Sequence, residues 1–180
     1  MQILRDFVDR LDPAVNTAVT IGVFDGVHLG HQHVLSELRR EAQARGVASA
    51  VATFDKHPAL VLRPENAPKL LTTLDQKLEL LEQNGVDIVY LVRFDLERAR
   101  TEPDVFVEQV FVDALHAKAV VVGEDFHFGR GRQGNVDRLR ELGERLGFDV
   151  RGLELIQHAP GAPEPVSSTA IRRALAGGDV

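Results

Sequence analysis

The chain has no cysteine in its 180 residues. That excludes disulfides, thiolate catalysis and cysteine-bound zinc. It also lacks a positive excess: 21 Lys and Arg stand against 27 Asp and Glu, for a net charge of −6. A general binder of nucleic acid or of a membrane surface needs a basic face, so neither class fits, although a local basic pocket stays open. No apolar run approaches the length of a bilayer span. Met1 to Arg10 mixes apolar and charged residues and has no apolar leader core, so a cytoplasmic setting is expected. Walker A, G-x-S-x-G and H-E-x-x-H patterns are absent, which disfavours a P-loop ATPase, a serine hydrolase and a zincin. No internal repeat and no low-complexity segment is visible.

What is present suits one soluble domain with a sizeable core: 44% hydrophobic and 27% charged residues. Strand-like and helix-like stretches alternate. Val19–Val23, Val47–Phe54, Asp87–Val92, Ala119–Val122 and Val150–Leu155 read as strands. Helices are expected over His33–Ala44, stopped by Gly46, and from Thr73 to Gly85, with Thr73 and Gln76 at capping-box spacing. Two more should run from Pro103 to about His116 and from Asn135 to Gly147, and Ser167 or Ser168 opens a short last one. Pro58, Pro64 and Pro68 mark a loop, and residues 156–166 a mobile loop beside the site. Strands separated by helices of this length predict βαβ crossovers. The expected fold is a Rossmann-like, doubly wound, mostly parallel α/β sheet with helices on both faces. Ligands in such sheets bind beyond the carboxyl ends of the strands.

The most informative stretch is Thr20-Ile-Gly-Val-Phe-Asp-Gly-Val-His-Leu-Gly-His-Gln32. A strand turns through Phe24, Asp25 and Gly26 and presents His28 and His31 around Gly30 at a helix start. That order suits a triphosphate, because imidazoles donate to phosphoryl oxygens and the helix N-terminus adds its positive end. Two surface histidines, or a metal cluster with His33, is the blander alternative. Three histidines on one turn do not easily aim their lone pairs inward, and a catalytic zinc wants three ligands.

Ser167-Ser168-Thr169-Ala170-Ile171-Arg172 offers hydroxyls at a helix start and an arginine one turn on, a second anion pocket. Alone it is better read as ordinary capping. With the histidine turn it suggests one polyphosphate held at both ends. Gly123-Glu-Asp-Phe-His-Phe-Gly129 follows a strand. Asp125 there could accept from a ribose or an amino group, and Phe126 and Phe128 could flank a planar ring or belong to the core. Phe54-Asp-Lys-His57-Pro brings an aromatic face and an imidazole, or only a proline turn. Gly129 to Gly134 fits G-x-G-x-x-G literally, but six residues separate it from the strand end, so it reads as a flexible, basic loop over the site.

Together these motifs resemble the adenylyltransferase (FAD synthetase) module of the bacterial bifunctional riboflavin kinase/FMN adenylyltransferases, over essentially the whole chain. The histidine and Ser-Thr-Arg motifs belong to a wider nucleotidyltransferase superfamily. The Phe-Asp-Gly-Val-His-x-Gly-His and Gly-x-Asp-Phe-x-Phe-Gly forms are more specific. The resemblance implies ATP and FMN as substrates, FAD and pyrophosphate as products, and Mg²⁺ carried with ATP. It implies that His28 and His31 hold the ATP phosphates during attack on the α-phosphorus. Ser167, Ser168, Thr169 and Arg172 would grip the β- and γ-phosphates, with Ser168 and Arg172 counted as catalytic. Asp125 would serve the adenylate side, and Phe54, His57, Phe126 and Phe128 the flavin side. Gly22, Phe24, Asp25, Gly30 and Gly123 join the binding set. Lys56 stands where the family usually has proline, and Pro165 where it often has a basic residue. The family's kinase module would begin near Gly178, so a single adenylyltransferase domain over residues 1–180 is expected. Another phosphorylated acceptor, a non-catalytic flavin- or nucleotide-binding module, and a dinucleotide-dependent oxidoreductase are the rival expectations.

Overall fold

A computed structural model of the protein describes residues 1–154 and 166–178. Six strands form one parallel sheet: β1 (Gln2–Arg5), β2 (Thr17–Ile21), β3 (Ala48–Phe54), β4 (Ile88–Val92), β5 (Ala117–Gly123) and β6 (Asp149–Leu153). Their spatial order is β1-β4-β3-β2-β5-β6, with every pairing parallel. β2 and β4 are buried along their whole length, as befits strands covered on both faces. The winding reverses between β2 and β5, and a ligand crevice is expected beyond the carboxyl ends of strands at such a point.

Alternate side chains serve two cores. Val19, Ala52, Tyr90 and Val120 face α4 (Pro103–Val107) and α5 (Val136–Leu146), against Phe106, Phe111, Leu139 and Leu142. Ala18, Val51, Val89 and Val121 face α1 (Leu29–Arg45) and α3 (Leu74–Gln83), against Leu35, Leu38 and Leu81. The expected stops are in place: Gly46 and Gly147 end α1 and α5 in the left-handed region, and Thr73 and Gln76 close the capping box of α3. No helix among the described residues is long and apolar enough to cross a membrane.

Several boundaries moved. β1 was unforeseen; four residues at a sheet edge carry too little alternation to announce a strand. β2 lies two residues earlier than expected, and α1 begins at Leu29 rather than His33. The proline loop holds a short helix, α2 (Pro58–Leu62), and a 3₁₀ turn at Pro64–Asn66. The helix from Pro103 widens into a π-helical stretch over Glu108–Ala114. Leu155 and, apart from Val166, the loop expected over 156–166 lie outside the described residues, Pro165 included.

Candidate active site

The turn after β2 is shaped by three devices. Phe24 takes a left-handed φ of 53° and drops its ring into the core at 2% exposure. Asp25, at 4% exposure, points inward as well. His28 then caps α1, its Nδ1 accepting from the His31 N–H at 3.4 Å. An Nδ1 that accepts must be unprotonated, so the neutral His28 ring carries its proton on Nε2 and has a donor to offer a ligand. His28 and His31 stack at 3.7 Å between centroids, and Phe24 packs on His31 from beneath at 4.9 Å. Gly30 makes the stack possible: a Cβ there would sit 3.2 Å from the His28 ring and 3.4 Å from the Val166 carbonyl.

Both imidazoles are neutral at pH 7. Burial pushes His31 down to about 3, helped by His28 and opposed by Asp25. Burial also lowers His28, against the pull of Asp25. His31 Nδ1 is buried with no hydrogen-bond partner, and an orphaned ring nitrogen beside a helix N-terminus is a group that a ligand can satisfy.

α6 (Ser168–Gly177) closes over this turn. Ser167 caps it, accepting from the Ala170 N–H at 3.2 Å. Ser168 Oγ donates to the Asp25 carbonyl at 3.0 Å. Arg172 pairs with the Asp25 carboxylate and donates from Nε to the Lys69 carbonyl at 2.7 Å. Asp25 also accepts from the Leu71 and Thr72 N–H groups at 2.9 and 3.0 Å. Burial alone would raise its pKa, but those backbone donors and the Arg172 guanidinium outweigh it and hold it below the usual carboxylate range. The histidine turn and α6 are thus joined across 147 positions of sequence. Thr169 is exposed at the start of α6.

β3 ends at Phe54, whose ring meets Phe94 edge-on at 5.3 Å. His57 caps α2, its Nδ1 accepting from the Ala59 N–H at 3.1 Å. Its neutral proton is likewise on Nε2, and burial followed by Arg172 lowers its pKa. Gly22 donates to the Ala52 carbonyl at 3.2 Å, tying the turn to β3. Gly123 ends β5, and Asp125 stands exposed on the turn beyond it.

Three expected binding residues are placed in the interior. Phe24 forms a floor beneath His31. The Asp25 carboxylate is bonded to Leu71, Thr72 and Arg172 and clasps the two segments together. Phe128 is 6% exposed and belongs to the core, stacked on Phe126 at 5.5 Å; of the two rings, Phe126 keeps the more open position. The glycine-rich hexapeptide also differs from the flexible loop expected. Phe128 and Gly134 exchange backbone bonds at 3.0 and 2.9 Å and staple its ends together. Gly134 is required because a Cβ there would lie 2.7 Å from the Phe128 ring. Gly129 and Gly134 serve close packing and Gly131 a left-handed turn, which removes the basis for a dinucleotide fingerprint.

Lys77 went unnoticed in the sequence. Its ammonium is buried on α3 and donates to the Phe54 carbonyl at 2.9 Å, Thr53 Oγ1 at 3.2 Å and the Val23 carbonyl at 3.3 Å. A signal existed: Leu74, Lys77, Leu78 and Leu81 share one helical face, so the lysine stands at a core position.

The chain resembles known proteins over its length. A family model described as FAD synthetase matches residues 12–170. The bifunctional riboflavin kinase/FMN adenylyltransferase of Haemophilus influenzae is 40% identical over 183 residues, covering 100% of this chain and 58% of that protein. The enzyme of the same description from Listeria monocytogenes is 37% identical, covering 92% of this chain and 52% of its own length. The chain therefore spans about half the length of the curated relatives it matches. Among solved structures, a Streptococcus pneumoniae protein described as a macrolide-efflux protein superposes with a TM-score of 0.84 at 24% identity, over 100% of this chain and 59% of that one. Pantothenate synthetase from Thermus thermophilus gives 0.55 at 16% identity, over 88% of this chain and 63% of that one. At these identities the structures speak for the fold alone.

Proposed function

Because the chain belongs to the FAD synthetase family, we propose that it transfers the adenylyl group of ATP to FMN, releasing FAD and pyrophosphate. The observation that carries the proposal is the clasp between two anion-binding segments. The histidine turn and α6 meet through Asp25, Arg172 and Ser168 at the carboxyl end of β2. The names of the relatives, riboflavin kinase/FMN adenylyltransferases, supply the acceptor.

The chemistry needs no covalent enzyme nucleophile. An oxygen of the FMN phosphate attacks the α-phosphorus of ATP, the new P–O bond forms, and the bond to the β-phosphate oxygen breaks with its electrons leaving on pyrophosphate. The protein's task is in-line positioning and charge neutralisation. His28 Nε2–H, His31 and the amide groups opening α1 face the phosphates as preorganised donors, neutral until an anion arrives. Arg172 supplies fixed positive charge, with Ser167, Ser168 and Thr169 at the mouth of α6. Asp125, at the end of β5, serves the adenylate side. Phe54, His57 and Phe126 serve the flavin side. Among the described residues no three His, Asp or Glu side chains converge as a metal site, so Mg²⁺ is proposed to arrive on the ATP phosphates, where it would neutralise charge on the leaving group. ATP and FMN as substrates set the reaction in the cytoplasm.

The test incubates the chain with ATP, Mg²⁺ and FMN and separates the flavins. FAD and pyrophosphate should appear in equal amounts. Riboflavin, which lacks the attacking phosphate, should not be adenylylated. Binding of ATP and FMN without pyrophosphate release would leave a binding module, and release with another phosphorylated acceptor but not FMN would reassign the substrate.

A further inference from the structure

We propose that Lys77 is a positioning residue for this reaction, its ammonium locking the carboxyl ends of β2 and β3 together so that the histidine turn and the Phe54–His57 segment are held in one register.

Three acceptors converge on the lysine from two strands. The Val23 carbonyl belongs to the turn after β2, two residues before Asp25. Thr53 Oγ1 and the Phe54 carbonyl end β3, three residues before His57. Thr53 Oγ1 in turn lies 3.2 Å from the Val23 carbonyl. An ammonium has three N–H donors, and here each has one acceptor. Burying such a group among carbonyls costs free energy that a purely structural contact could avoid with an apolar side chain.

The charged and titratable groups around it are Asp25 after β2, Asp55 after β3 and His57 before α2, which Arg172 on α6 faces in turn. Asp25 and Asp55 favour the ammonium, but burial dominates and brings Lys77 down to about 8. Deprotonation removes the charge and leaves two N–H donors for three acceptors, so the tie between the strand ends weakens. The consequences for activity and stability have opposite signs. Activity should fall as pH rises through about 8. Stability should not fall with it on this account: between that pH and the ordinary lysine value of 10.5 the unfolded chain binds more protons than the native one, so Lys77 favours the native state increasingly as pH rises. A merely structural lysine would not separate the two.

The inference rests on adenylyl transfer as the reaction. In wild type, kcat/KM for FAD formation should decline on the alkaline side with an apparent pKa near 8 while thermal melting shows no parallel loss; a profile flat to about pH 9.5 overturns the proposal, whatever the variants do. Lys77→Met, which keeps the stem, should lower kcat at least about tenfold in folded protein, as a misplaced site does. Lys77→Arg keeps a charge that does not titrate in this range, so the alkaline decline should vanish; its persistence would contradict the role. No FAD from wild type sinks the reaction itself. FAD from wild type with equal kcat in folded Lys77→Met sinks only the role of Lys77.

Discussion

Among the described residues, two aspartates lie buried against an arginine, and the pairs are built for different ends. Asp6 follows β1 and Arg98 stands in a 3₁₀ turn after β4, with side chains 4% and 5% exposed. Both groups are held on several sides. Tyr90 donates to Asp6 at 2.6 Å, Arg98 donates to Asp6 and to Gln109 at 2.7 Å each, and the guanidinium lies 5.0 Å over the Phe7 ring. Asp25 is as deeply buried, at 5%, but its partner Arg172 is 19% exposed and faces His57. The first pair is closed off from solvent. The second has a well-bonded carboxylate and a cation that reaches the surface. A buried ion pair therefore says little about function until the exposure of its cation is known.

The largest expected effect breaks the closed pair. Arg98→Ala leaves Asp6 buried without its counter-charge and should destabilise the fold by about 3–5 kcal/mol in denaturant unfolding, with kcat of the folded fraction unchanged. Arg172→Gln should do the reverse. Asp25 keeps its Leu71 and Thr72 donors, so stability suffers less, while FAD formation should fall roughly a hundred- to a thousandfold, or about 2.7–4 kcal/mol of transition-state stabilisation. If Arg172→Gln only melts the protein earlier, the two pairs are alike and the contrast fails.

The two regions should also answer to opposite ends of the pH scale. His31 is held far below its ordinary 6.5, so the unfolded chain takes up a proton that the native one refuses. Its contribution is complete above pH 6.5 and shrinks by about 1.4 kcal/mol per pH unit below it. Burial and then Asp6 raise the Tyr90 hydroxyl above its ordinary 10.0, so that contribution is complete below pH 10 and shrinks above it. Unfolding titrations of His31→Asn and Tyr90→Phe should flatten the acid and alkaline limbs respectively. A smaller effect sharpens the comparison of caps. Thr73→Ala and Ser167→Ala should each cost about 1 kcal/mol of stability, but only Ser167→Ala should also slow FAD formation.

Much of this was written locally. Thr73 with Gln76, Asn135 with Gly147, and Gly46 announced helix ends because caps act within one turn. The start of α1 was displaced because its cap is His28, outside the usual Ser, Thr, Asp and Asn, and because Gly30 follows in the first turn, where helix propensity is poor. The histidine turn and the Ser-Thr-Arg segment were legible as anion-binding types. Their meeting was expected from one polyphosphate held at both ends, but the clasp that joins them was not, since nothing near Asp25 indicates an arginine 147 positions on. Burial was the harder quantity. Phe24, Asp25 and Phe128 have the chemistry of ligand residues, and only packing shows that their surfaces are already taken. Lys77 is the converse: its type suggested solvent, while its place on the apolar face of α3 was the clue.

Single-turnover FAD formation by folded His31→Ala, compared with wild type at saturating ATP and FMN, bears most directly on the claim that the stacked histidines and α6 hold one ATP for transfer. The rate should fall about a hundred- to a thousandfold, as when one preorganised donor to a developing phosphoryl charge is removed. Turnover close to wild type would contradict it.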